Sequence, residues 1–365
     1  DVYKRQLLHP LLALSEERST PNIIFVLFDD IGYGQPTSYR ADSPFKTPNI
    51  DRLAKQGMRF TDAHSAAANC TPTRYGVLTG RYPCRIGQYG VLKTYSAPII
   101  PKTRLTAASF LKAQGYHTAC IGKWHLGMNW VDGKKEEDEE LPVGARMKDG
   151  PNALGFDYFY GFLAGESSQW EPAVVENTNR IDPSHGKEGY HFTEDMAGKA
   201  VSWMKQVHAL TPDRPFFVYW TPGASHGPHH IFKEWADKYQ SRFDAGWDEL
   251  REEIFANQKE LGWIPDNTQL TARPDTLAAW DDIPEDEREF QLRLMEVFAG
   301  YTEHADTQAG RLLDALDEMG VRDNTLVFYI WGDNGPSAEG QSGSISELLA
   351  QNGICLLYTS DAADE

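Results

Sequence analysis

A thiol and a guanidinium stand about one helical turn apart in Cys70-Thr71-Pro72-Thr73-Arg74, which opens the string CTPTRYGVLTG. Pro72 suits the first turn of a helix, and Tyr75 to Leu78 can continue that helix until Gly80 ends it. Position 70 then sits at a helix N-terminus. Unpaired amides and the helix dipole there favour a bound anion and depress the pKa of a thiol. Taken alone, these five residues describe a half-buried cysteine before a helix equally well. Their weight comes from segments elsewhere in the chain.

Two apolar runs end in oxygen donors. Ile23 to Phe28 reads as a buried parallel strand that stops at Asp29 and Asp30, and Thr325 to Trp331 leads to Asp333 and Asn334. Ligands of open α/β sheets collect beyond the carboxyl ends of strands. Two such ends side by side would build a hard-oxygen site suited to Ca²⁺ or Mg²⁺. Either pair alone is more simply a solvated strand end or a helix cap. Both pairs together with CTPTR point to a metal.

Another strand-like run, Tyr116 to Ile121, opens into Gly122-Lys123-Trp124-His125-Leu126-Gly127. Lys123 and His125 alternate with Trp124, so an extended segment points them to one face. Phe216 to Trp220, after Pro215, leads into TPGASHGPHH with His226, His229 and His230. No cysteine or carboxylate lies at a usual zinc spacing beside these histidines, which ranks a transition-metal site low. Lys233 follows on what reads as a solvated helix face.

The CTPTR motif, the GKWHLG string and the histidine segment after a strand together resemble the type I, formylglycine-dependent sulfatases of the alkaline phosphatase superfamily. The resemblance is to the arylsulfatase-like members. It implies an α/β three-layer sandwich with a mostly parallel central sheet, and hydrolysis of a small sulfate ester, an aryl sulfate being favoured. It also implies that Cys70 is a precursor, converted to formylglycine by a formylglycine-generating enzyme or an equivalent, whose hydrated aldehyde attacks sulfur. On the same resemblance Asp29, Asp30, Asp333, Asn334 and the modified residue 70 hold Ca²⁺ or Mg²⁺. Arg74 and Lys123 neutralise the sulfuryl group, His226 protonates the leaving oxygen, and His125 hydrogen-bonds the hydrated aldehyde and later takes a proton from its second hydroxyl. A phosphodiesterase or phosphonate monoester hydrolase of the same superfamily shares the metal edge, and selectivity between sulfate and phosphate is not written in these residues.

Composition fits a globular enzyme. The 365 residues are 41% hydrophobic and 12% aromatic, ample for a large core, and no run approaches the length of a membrane span. A formal net charge of −18 argues against a nucleic-acid partner. It also demands a local positive cluster for any anionic substrate, which Arg74, Lys123 and a metal would supply. The run KKEEDEE at Lys134 to Glu140 reads as a solvated loop. Cysteines at 70, 84, 120 and 355 form no disulfide ladder and no close-spaced metal motif. Leu7 to Ser15 has the look of a secretory-signal remnant but carries a proline and a histidine, so periplasmic, secreted and cytoplasmic addresses all stay open.

The elements that must position these groups alternate between strand-like and helical runs. Thr47-Pro48 opens a helix to Gln56, Thr106 to Gln114 forms another, and Glu194 to Val207 and Gln291 to Met319 are longer. One catalytic domain over residues 21–354 is expected, with an insertion at about 237–287, rich in Trp, Pro, Asp and Glu, that contains short helices and walls the substrate pocket. DVYKRQ, within residues 1–20, and CLLYTSDAADE at 355–365 resemble translated sequencing adaptors. A truncated protein is therefore expected. It would lack the C-terminal subdomain and a further sulfate-contacting lysine, since no lysine follows Lys259. Exposed apolar sheet edges would follow, and a catalytically inert truncated fragment is the alternative to an active enzyme.

Overall fold

The computed structural model describes residues 20–32, 34–93, 96–131, 143–275 and 277–332. Seven strands organise the described residues. In chain order these are β1 (Asn22–Leu27), β2 (His117–Lys123), β3 (Tyr158–Phe162), β4 (Val174–Glu176), β5 (Asn179–Ile181), β6 (Phe216–Thr221) and β7 (Thr325–Ile330). Among the described residues they form one sheet in the order β5-β4-β3-β2-β6-β1-β7. The five strands from β3 to β7 in that order run parallel, while β4 and β5 are antiparallel. Parallel strands covered on both faces are largely apolar, which is why β1 and β6 read from sequence as near-continuous apolar runs.

The helices are α1 (Pro48–Gln56), α2 (Cys70–Thr79), α3 (Ala107–Ala113), α4 (Phe192–Leu210), α5 (Lys233–Asp237), α6 (Gly246–Glu260) and α7 (Glu285–Glu318). On one face of the sheet, Ile24, Val26, Ile121, Val218 and Trp220 pack against α4 through Phe192, Met196, Ala200 and Met204, and against α7 through Tyr301, Ala305, Ala309, Leu312 and Leu316. These positions recur at helical spacing, so each helix turns one apolar stripe inward. On the other face, Leu27, Cys120, Phe159, Phe217 and Tyr219 meet Tyr75 and Leu78 of α2 and Ala108 of α3. The result is the α/β three-layer sandwich expected.

The observed boundaries differ in instructive ways. α4 and α7 both start earlier than expected, at Phe192 and Glu285, and α7 opens on Glu285, Asp286 and Glu287, acidic residues that suit the positive end of the helix dipole. The insertion region holds the 15-residue α6 rather than only short helices. α1 has no side-chain cap of its own at Thr47. Asp306 of α7 substitutes, accepting the backbone N–H groups of Asn49 at 2.8 Å and Ile50 at 3.0 Å and the Tyr329 hydroxyl at 2.9 Å. On β7, which borders the sheet, Leu326 and Phe328 are 47% and 40% exposed. No described helix is long and apolar enough to cross a membrane. The adaptor-like ends, the Leu7 to Ser15 segment and the KKEEDEE run lie outside the described residues, apart from Thr20.

Candidate active site

The carboxyl ends of β1, β2, β3 and β6 lie next to one another, and the chemistry-bearing residues are found where each strand ends. Cys70 is the first residue of α2, preceded by Asn69, and residues 70–75 are all buried. Gly80 closes that helix in the left-handed region at φ 64°. Thr71 fixes the first turn: its hydroxyl donates to the His125 carbonyl at 2.9 Å and accepts from the Leu92 N–H at 3.1 Å.

Asp29 and Asp30 follow β1 at 0% and 4% exposure. Lys123 and Arg74, each fully buried, both converge on Asp29. The Lys123 ammonium bonds Oδ2, and Arg74 Nη2 lies 3.3 Å from Oδ1 while its Nη1 donates to the Lys123 carbonyl at 3.1 Å. Desolvation, the largest single effect, works against the Lys123 ammonium, but Asp29, Cys70 and Asp30 together outweigh it and hold the group above its ordinary pKa. Lys123 therefore stays charged in the interior of an acidic protein. Gly122, just before Lys123, makes room for the end of β6: it adopts φ 119°, and a Cβ there would fall 1.8 Å from the Thr221 carbonyl oxygen.

His125 sits at φ 52°, an uncommon conformation for a residue with a side chain and one that clusters at functional sites. Its Nε2 donates to the Leu92 carbonyl at 2.8 Å, which leaves Nδ1 buried as an acceptor. Burial, reinforced by Lys123, pushes its pKa down to about 3, so the ring is neutral. The intervening Trp124 turns instead into the core beneath α2.

The segment after β6 is laced to the segment after β1. Asp29 N–H donates to the Ala224 carbonyl at 2.8 Å, and Ser225 N–H donates to the Asp29 carbonyl at 2.7 Å. This brings His226 Nε2 to 3.5 Å from Asp30 Oδ2. Asp30 Oδ1 in turn lies 3.9 Å from Cys70 Sγ. One ligand atom each from Asp29, Cys70 and His226 falls within 4.8 Å of the others, all three side chains being buried.

Hard carboxylate oxygens in a buried setting fit a divalent ion of the Ca²⁺ or Mg²⁺ type, to which Asp29 and Asp30 would contribute. Asp333 and Asn334, the other expected ligands, lie outside the described residues. Among the remaining candidates, His229 bonds the Ser225 carbonyl at 3.0 Å and is pushed down to about 4 by burial, and His230 stacks on Trp170 at 5.8 Å. Lys233 is exposed and paired with Asp237 within its own helix.

Sequence reasoning missed Glu166, a buried carboxylate 3.8 Å from His226 Nδ1. The signal was present in FDYFYGFLAGE, an aromatic run ending in an acid like the run before Asp29. The anchoring role of Leu92 has no such signal, because it is played by backbone atoms.

Known proteins resemble the chain in sequence and in fold. The chain is 31% identical over 363 residues to an uncharacterized sulfatase of Schizosaccharomyces pombe, covering 91% of this chain and 60% of the relative. It is 49% identical over 355 residues to arylsulfatase A of Bos taurus, covering 91% and 55% respectively. A solved structure from Bacteroides thetaiotaomicron, described in connection with metabolism of multiple glycosaminoglycans, superposes with a TM-score of 0.61 at 23% identity, over 92% of this chain and 67% of that one. The chain thus spans little more than half the length of these two sequence relatives. A family model for sulfatases matches residues 21–355, nearly the whole sequence, and on that match the chain belongs to the sulfatase family.

Proposed function

We propose that this chain carries the catalytic centre of a sulfuric ester hydrolase acting on small aryl sulfates, with Cys70 as the precursor of its nucleophile. The observation that carries the reading is the convergence of six side chains from four distant segments. Asp29, Asp30, Cys70, Arg74, Lys123 and His226 meet at one sheet edge, with Cys70 Sγ 3.9 Å from Asp30 and both cations fully buried. A buried, doubly cationic anion site is what an acidic protein with a formal net charge of −18 needs in order to bind a sulfate ester.

Formylglycine at position 70, made by a formylglycine-generating enzyme or its equivalent, would supply a hydrated aldehyde as nucleophile. A divalent ion held by Asp29 and Asp30, with Asp333 and Asn334, would polarise the sulfuryl oxygens and acidify the attacking hydroxyl. The other residues act directly. Arg74 and Lys123 are donors fixed before substrate arrives, so charge growing on the sulfuryl oxygens meets preorganised partners at little reorganisation cost. His226, on the side of Cys70 and Asp30, gives its proton to the departing phenol oxygen. His125 is neutral and keeps an acceptor at Nδ1, which suits it to hydrogen-bond the hydrated aldehyde and to take a proton from its second hydroxyl as sulfate is released. Overall, water and the ester give an alcohol and hydrogen sulfate.

The test is co-expression with a formylglycine-generating enzyme, peptide mass analysis across residue 70, and parallel assays with 4-nitrophenyl sulfate and 4-nitrophenyl phosphate. Conversion of Cys70 with preferential sulfate release supports the reading. Preferential phosphate release assigns the phosphodiesterase or phosphonate monoester hydrolase alternative, and zero turnover after full conversion assigns a catalytically inert chain.

A further inference from the structure

The loop after β3 carries a carboxylate that none of these roles uses. The Glu166 side chain is 1% exposed, and its Oε2 lies 3.8 Å from His226 Nδ1. The imidazole has two distinct edges. Its Nδ1 edge faces Glu166 and the Gly227 carbonyl oxygen at 2.9 Å, whereas its Nε2 edge faces Asp30, on the side where Cys70 stands. An acid placed behind the ring, with the reacting groups in front, has the arrangement of an orienting carboxylate in a carboxylate–histidine pair. The separation of 3.8 Å exceeds a hydrogen bond, and such contacts tighten when substrate is bound.

Resting on the reading of His226 as the general acid, we propose that Glu166 is a positioning residue that holds the His226 ring with Nε2 toward the leaving oxygen. It acts through His226. Its contribution therefore scales with the need for protonation: 4-nitrophenolate departs without much help, while a more basic phenolate depends on the proton.

The experiment measures kcat and KM of the matured full chain on aryl sulfates from 4-nitrophenyl to 4-methoxyphenyl sulfate. The variants are Glu166→Ala, Glu166→Gln, His226→Ala and the Glu166→Ala/His226→Ala double mutant. Glu166→Ala is expected to lower kcat about tenfold or more on 4-methoxyphenyl sulfate and less than about threefold on 4-nitrophenyl sulfate, with KM little changed, because general acid catalysis itself contributes roughly 10²–10⁴-fold. In the His226→Ala background it is expected to add no further loss. Glu166→Gln keeps the shape of the side chain, serves if the alanine variant fails to fold, and is expected to give an intermediate leaving-group slope. Equal losses across the series, or a full effect without His226, overturn the proposal.

If the matured wild-type chain hydrolyses none of the series, it is the sulfatase reading that falls. The pairing is then read by ¹⁵N-histidine NMR, with the His226 ring signals assigned through His226→Ala. Those signals are expected to move in Glu166→Ala and to stay in place in the exposed control Glu171→Ala. Unmoved signals in Glu166→Ala overturn the pairing.

Discussion

Replacing Lys123 with methionine removes one charge while nearly preserving volume, and the outcome follows from the burial around it. Lys123 and Asp29 are both fully buried, and the ammonium bonds Asp29 directly. Breaking a buried pair by deleting one partner typically costs about 3–5 kcal/mol, because the other charge is stranded away from water. Arg74 remains 3.3 Å from the same carboxylate and still compensates part of its charge, so the lower end of about 3 kcal/mol applies. At roughly 2 °C per kcal/mol for a chain of this size, the metal-free variant should melt about 6 °C below the parent. A divalent ion bound at Asp29 would replace part of the lost positive charge, so adding Ca²⁺ or Mg²⁺ should shrink the deficit and chelation should restore it. The assay is thermal unfolding of both proteins with EDTA and with each ion, alongside Lys102→Met, a surface pair with Asp149 in which the lysine is 63% exposed and about 1 kcal/mol or less is at stake. A metal-free Lys123→Met protein that melts no lower than Lys102→Met refutes the argument.

Two further outcomes are expected. Cys70→Ala has no thiol or hydroxyl to oxidise to the aldehyde, so sulfatase turnover should fall to background in kinetic assays while the melting temperature stays close to the parent's. Burial pushes the Asp306 carboxyl up to about 6 despite its several donors. A carboxyl whose folded pKa is raised binds protons more tightly in the native state, so the stability it contributes is complete below about pH 4 and is lost as pH rises through 6. That loss is about 3 kcal/mol by linkage. Denaturant titrations from pH 4 to pH 7 should show the stability of the parent relative to Asp306→Asn falling by that amount, and a flat difference would remove Asp306 as the cause.

The sheet centre and the site were legible because both rest on uninterrupted local signals. β1 and β6 are apolar runs that stop abruptly at polar residues, and α2 announces itself through Pro72 and Gly80. β4 and β5, three residues each, are too short for any periodicity to mark them, and they pair antiparallel at the edge. The start of α7 was hidden because its first turn is acidic rather than apolar, so capping electrostatics and not burial sets it. Glu166 escaped because β3 reads as four aromatics interrupted by a glycine, YFYGF, and a strand identified there would have pointed to the acid beyond it. The Asp306 cap on α1 joins residues far apart in sequence, and no local pattern carries such a contact.

The paired backbone bonds that link Asp29 with Ala224 and Ser225 tie two stretches of polypeptide into one mechanical unit. Any drift of the stretch bearing His226 drags the carboxylates along with it, so the distance between that imidazole and Asp30 is insulated from breathing elsewhere in the sheet. Lengthening either connection by a single residue would break that lock and should be tolerated far less well than sequence changes in the exposed loops nearby.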